Sequence, residues 1–110
     1  MKQYVVDELR PADYEKIKNY LDAHLGDAAL GGVYRIPLAE HVLTDIQRSH
    51  EECRPHYAAL ELDNNRMVCE FLVRTPKRMR CDCMTYATGT QRNWLIDVVD
   101  AMLEAVGISV

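Results

Sequence analysis

Two short stretches of alternating side chains, 56–62 and 67–73, face each other across Asn64-Asn65. Alternation with period two marks strands with one covered face, and a slip of one residue would turn every apolar side chain outward. Asn tolerates φ > 0, so the pair suits a two-residue type I′ hairpin. That turn sets Leu62 opposite Met67, Leu60 opposite Cys69, Ala58 opposite Phe71 and His56 opposite Val73. A second turn at Thr75-Pro76-Lys77 brings 78–86 back as a third strand, with Val73 opposite Met79, Phe71 opposite Cys81 and Cys69 opposite Cys83. Both registers give one nearly continuous apolar face, which needs helices laid over it.

The flanks supply them. Pro11 suits a first helical position, where a missing N–H costs nothing, and Asp13 follows in the positively polarised first turn. Tyr14, Ile17, Leu21 and Leu25 then recur at helical spacing as far as Gly26. Gln3 to Leu9 reads as a strand before this helix, and Val33 to Ile36 as a short one after Gly31-Gly32. Pro37 opens a predicted second helix whose apolar face carries Leu38, Val42, Ile46 and then His50 and Cys53, with Pro55 ending it. A last helix runs from about Thr90 to Val106, with Gly107 as its C′ residue and Ile108 placed for a Schellman contact. The expected fold is one α+β domain over 1–110. It comprises a three-strand antiparallel meander, one or two short N-terminal strands and three helices, including a long apolar C-terminal helix.

The apolar residues of that last helix cover roughly 220° of its circumference, far more than the roughly 100° stripe one packing surface needs. The outer face of the meander is also mixed, with Tyr57, Val68, Leu72, Met84 and Tyr86 among Glu70, Arg74, Arg78, Arg80 and Asp82. Together these predict self-association or docking of another protein through Ile96, Val99, Leu103, Tyr57 and Leu72.

Charge narrows the partners. With 13 Lys+Arg against 17 Asp+Glu, the formal net charge is −4, which leaves no basic footprint for nucleic acid. No apolar run approaches the ~20 residues of a membrane span, and the N-terminus turns acidic after five residues, unlike a signal peptide. The expectation is a cytoplasmic protein whose four cysteines stay reduced.

Those cysteines carry the sharpest chemistry. His50-x-x-Cys53 with Cys81-x-Cys83 offers one imidazole and three thiolates, a normal closed tetrahedral Zn²⁺ set. The obstacle is that same-face residues on a flat strand have Cα atoms ~6.5–7 Å apart, so both sulfurs of Cys81-x-Cys83 would have to lean inward or use a bulge. Against the metal stands the reading of these thiols as small buried hydrophobes and of His50 as a core-edge histidine. A third reading is thiol chemistry, with Cys69 and Cys83 meeting across the ladder and His50 or His56 as an activating base. Thr88, Thr90 and Arg92 open the last helix and could hold an anion, although simple N-capping accounts for the threonines.

Gly-x-Ser-x-Gly, His-Glu-x-x-His, Walker A and Gly-x-Gly-x-x-Gly patterns are all absent, so familiar enzyme mechanisms have no foothold. Three functional readings follow. The chain is an interaction or assembly module that forms a homodimer and carries no cofactor, a structural zinc protein, or a thiol-based redox sensor or enzyme.

Overall fold

A computed structural model of the chain describes residues 2–26, 28–29, 31–77 and 80–109. The elements run β1 (Gln3–Val6), α1 (Pro11–Leu25), β2 (Val33–Pro37), a 3₁₀ turn (Glu40–Val42), α2 (Asp45–Ser49), a second 3₁₀ turn (Glu51–Cys53), β3 (Tyr57–Leu62), β4 (Met67–Arg74) and α3 (Gly89–Ala105). The four strands form one antiparallel sheet in the order β1-β4-β3-β2. The architecture is α+β, as the alternation and the helical spacing imply.

Helix α1 starts where Pro11 places it. Asp13 accepts the backbone N–H of Arg10 at 3.1 Å and is buried in doing so. Its face of Ile17 and Leu21 enters the core, and Tyr34 on β2 donates to Asp22 at 2.6 Å. Helix α3 lies on the same side of the sheet, burying Leu95, Val99 and Leu103 against Leu60, Met67, Cys69 and Val73. Tyr4 on β1 donates to Asp100 of α3 at 2.6 Å, tying the helix to the sheet edge. The end of α3 is a Schellman motif: Ile108 N–H donates to the Leu103 carbonyl at 2.9 Å and Gly107 N–H to Glu104 at 3.0 Å, with Gly107 at φ 80. Gly32 is needed for a different reason, since a Cβ there would sit 2.7 Å from the Leu62 carbonyl oxygen.

The hairpin of β3 and β4 keeps the expected register at its turn, with Leu62 opposite Met67 and Leu60 opposite Cys69. Farther along it differs. A bulge between Ala58 and Leu60 sets Ala58 opposite Val73 rather than Phe71, so His56 no longer faces Val73. The turn itself is not type I′, because Glu8 is the one described non-glycine residue with positive φ. Asp63 N–H closes it on the Arg66 carbonyl at 2.8 Å, while the Asn65 carbonyl accepts from Leu9.

Among the described residues the third strand of the meander does not form. Its edge of β4 is taken by β1, which pairs Gln3 with Glu70 and Val6 with Met67. Lys2 extends that pairing by accepting Phe71 N–H at 3.0 Å, and the stretch from the Phe71 carbonyl to Val73 is met by 85–87 through the isolated bridge Leu72↔Tyr86. Neither Phe71–Cys81 nor Cys69–Cys83 is therefore a pair, and Arg78 and Met79 lie outside the described residues. The predicted second helix is likewise broken into two 3₁₀ turns and the five-residue α2. Thr44 caps a new start in mid-segment, and Ile46, expected in the core, is 51% exposed.

Both long helices sit on one face of the sheet. On the other face Val68 is buried, while Tyr57, Ala59 and Leu72 are half-buried and Val5 is exposed. No described helix is long and apolar enough to cross a membrane.

Candidate metal centre

Three devices converge where the chain enters β3 and leaves β4. The 3₁₀ turn Glu51–Cys53 brings Cys53 inward, with Cys53 N–H on the His50 carbonyl at 3.0 Å. Thr75, just after β4, donates its hydroxyl to the Cys53 carbonyl. The returning segment then makes a tight turn at 81–84, closed by Met84 N–H on the Cys81 carbonyl at 2.9 Å. That turn does for Cys81-x-Cys83 what a flat strand could not.

The Sγ atoms of Cys53, Cys81 and Cys83 all lie within 4.8 Å of one another. Cys53 and Cys81 are 3.9 Å apart, close to the ~3.8 Å edge of a tetrahedron built on Zn–S bonds of ~2.3 Å. All three thiols are free. Cys53 is 0% and Cys83 1% exposed, while Cys81 is half-buried and lines an open groove with Leu72, Arg80, Asp82 and Met84.

The electrostatics are unequal. The Cys83 backbone N–H, then the Cys83 thiol, favour the Cys81 thiolate and hold its pKa below the ordinary thiol value, with smaller help from Cys53 and His50. Burial pushes Cys83 up to about 12, reinforced by its two sulfur neighbours. The cluster thus holds one thiol disposed to ionise and another that burial keeps protonated. A cation would favour the thiolate form of all three.

His50, the fourth expected ligand, is not among the residues whose ligand atoms lie within 4.8 Å of one another. Its Nδ1 is 2.6 Å from the Ile46 carbonyl, an acceptor, so Nδ1 carries the proton and Nε2 keeps its lone pair. A backbone carbonyl fixing the far nitrogen is the usual support of a metal-binding imidazole. Cys69 stands apart: it pairs with Tyr4 and Leu60 in the core, and burial pushes it up to about 12. The cross-ladder Cys69–Cys83 thiol pair is overturned with the third strand. His56 is 2% exposed, neither ring nitrogen has a hydrogen-bond partner among the described residues, and burial lowers its pKa, so it is a buried imidazole rather than an exposed base.

The support beneath the cluster was not read from the sequence. Gln47 and Gln91, both 0% exposed, are the N3 residues of two capping boxes, Thr44-x-x-Gln47 and Thr88-x-x-Gln91. Each Oε1 accepts its own cap's N–H, at 3.0 and 3.1 Å. Gln91 Nε2 donates to the Val42 carbonyl at 2.9 Å and to Gln47 Oε1 at 2.8 Å, and Gln47 Nε2 reaches the Cys83 carbonyl at 3.2 Å. The two [Ser/Thr]-x-x-Gln patterns were the available signal.

Of the remaining expected positions, Thr88 is the N-cap of α3, its hydroxyl accepting Gln91 N–H at 3.1 Å, and Thr90 and Arg92 are exposed in the first turn. Val99 and Leu103 are each 1% exposed inside this chain's own core, so neither offers surface to a partner. Ile96, Tyr57 and Leu72 remain half-buried. No protein-family model, no curated protein and no solved structure matches the chain.

Proposed function

We propose that the chain is a small α+β module that holds a structural Zn²⁺ through Cys53, Cys81 and Cys83, with His50 Nε2 as the fourth donor. The observation that carries this reading is the convergence of three free thiols within 4.8 Å from two segments distant in sequence. Soft sulfur donors in a near-tetrahedral arrangement select Zn²⁺ over oxygen-seeking cations such as Mg²⁺ or Ca²⁺. The ion would staple the 3₁₀ turn after α2 to the 81–84 turn, two segments joined otherwise by few backbone hydrogen bonds.

Elemental analysis of protein prepared without chelators tests this, with one zinc per chain expected. Co²⁺ substitution should give intense sulfur-to-cobalt charge-transfer absorption that Cys53→Ser and Cys81→Ser each weaken. Substoichiometric zinc and a Co²⁺ spectrum free of that absorption would remove the reading.

The second reading, self-association, is favoured by the uncovered sheet face. Val5, Ala59, Tyr57 and Leu72 line it without a helix above them, and a second copy is the simplest cover. It leaves the three thiols themselves uncovered, since Cys53, Cys81 and Cys83 lie outside the strands, while Leu72 belongs both to this face and to the groove at Cys81.

A further inference from the structure

We propose that the thiol cluster is a peroxide-responsive switch for its own metal: a hydroperoxide entering the groove at Cys81 joins Cys81 to Cys53 as a disulfide and expels the ion. This rests on the metal reading above and adds its regulation.

Exposure picks the first sulfur. Cys81 lines an open groove whereas Cys53 and Cys83 are 0% and 1% exposed, so a small oxidant reaches Cys81 before the others. Distance picks the second. Cys53 Sγ is 3.9 Å away, and a disulfide of about 2.05 Å asks for about 1.9 Å of closure. Cys81 can make that movement because, among the described residues, its segment belongs to no helix or strand and is tied to the sheet by the isolated bridge Leu72↔Tyr86.

Cys83 is the poorer partner on two counts. One residue separates it from Cys81, and its carbonyl is held by Gln47 Nε2 at 3.2 Å.

The chemistry balances. The Cys81 thiolate attacks one peroxide oxygen, forming S–O as O–O breaks, and the departing hydroxide or alkoxide takes a proton from water. The Cys53 thiolate then attacks the Cys81 sulfur, forming S–S as S–O breaks, and the departing hydroxide is protonated by solvent. Two electrons pass from the sulfur pair to the peroxide, and the metal departs with its charge unchanged. Only Cys83 and His50 then remain as donors, too few for a closed tetrahedral site.

The test uses full-length, zinc-loaded protein with one equivalent of hydrogen peroxide. Released zinc is followed with a chromogenic chelator, and the thiols are alkylated and mapped by peptide mass spectrometry. Expected are stoichiometric zinc release, a Cys53–Cys81 cross-linked peptide with Cys69 and Cys83 alkylated, and recovery of zinc binding after a dithiol reductant. Protein that binds no zinc before peroxide is added overturns the metal reading and the switch together. Zinc-loaded protein that keeps its ion and four unoxidised thiols overturns the switch alone, as does a linkage mapped to Cys83 or Cys69.

Discussion

Replacing Gln47 with Ala should destabilise the domain more than any surface substitution, because one amide serves three partners in a site with 0% exposure. Its Oε1 accepts from Thr44 N–H and from Gln91 Nε2, and its Nε2 donates to the Cys83 carbonyl. Each neutral hydrogen bond contributes about 1 kcal/mol net, and each buried group left unpaired costs about 1–3 kcal/mol. Gln91 Nε2 keeps the Val42 carbonyl, so the groups left unpaired are the Cys83 carbonyl and the half-buried Thr44 N–H. The lost Gln91 bond at about 1 kcal/mol, the half-buried Thr44 N–H at about 1 and the Cys83 carbonyl at about 1–3 sum to about 3–5 kcal/mol, a large share of the 5–15 kcal/mol available to a domain of this size. The midpoint of thermal unfolding should fall by roughly 15–25 °C. Urea unfolding followed by circular dichroism measures the loss. Thr44→Ala is the control, removing a single cap for about 1 kcal/mol. The double-mutant cycle with Gln91→Ala should show a coupling of at least about 0.5 kcal/mol. A loss under about 1 kcal/mol for Gln47→Ala, or additive effects of the two glutamines, would show that the relay carries no stability.

Three other outcomes are expected. Burial, with smaller contributions from Arg54 and His50, lowers the His56 pKa below its ordinary 6.5, so stability is fully present above pH 6.5. It should be lost as pH falls from there toward the folded-state value, by at most about 1.4 kcal/mol per pH unit. Urea titrations of chelator-treated protein at several pH values measure this, and an unchanged slope in His56→Leu would refute the assignment. Tyr4 is pushed up to about 12 chiefly by its hydrogen bond to Asp100, and then by burial. Its contribution is therefore present below pH 10 and lost as pH rises toward 12, so spectrophotometric titration should show Tyr4 ionising late, and Asp100→Asn should abolish its delay. Leu72→Glu should shift sedimentation toward monomer if the open sheet face associates, whereas Leu103→Glu should unfold the chain, being 1% exposed in the core.

The fold was legible where local pattern decides and silent where only distant partners do. The turn end of the β3–β4 hairpin follows from alternation, because an odd slip would invert the faces. The bulge moves Ala58 from Phe71 to Val73, a shift of two, which leaves every side chain on its own face. A hydrophobic pattern cannot register such a shift. The edge of β4 poses the same difficulty, since β1 and 78–86 both alternate acceptably and nothing local decides which one pairs. The broken second helix was different. Thr44-x-x-Gln47 is a start signal in the middle of the predicted element, and it competes successfully with a helical spacing that placed Ile46 in the core.

The thiol site shows how a wrong strand can conceal a real convergence of three thiols. On a flat strand Cys81 and Cys83 would face the same way but stay ~6.5–7 Å apart at Cα. As a turn, 81–84 folds back so that both sulfurs meet Cys53 within 4.8 Å. Residue types and spacing therefore survive the loss of the strand that suggested them. His50 does not survive so simply. Its three-residue spacing from Cys53 suggested one helical face, but His50 has φ −96 and ψ 63, ending α2 and opening the 3₁₀ turn. The two side chains belong to different local axes, and their separation is set by that break rather than by helical geometry. A metal drawing Nε2 inward would have to turn His50 about the hydrogen bond from Nδ1 to Ile46, which makes this histidine the weakest ligand of the set. His50→Ala should accordingly lower zinc affinity less than Cys53→Ser. Competition with a chelator of known affinity measures both, and equal losses would mean the imidazole is bound as firmly as the thiolates.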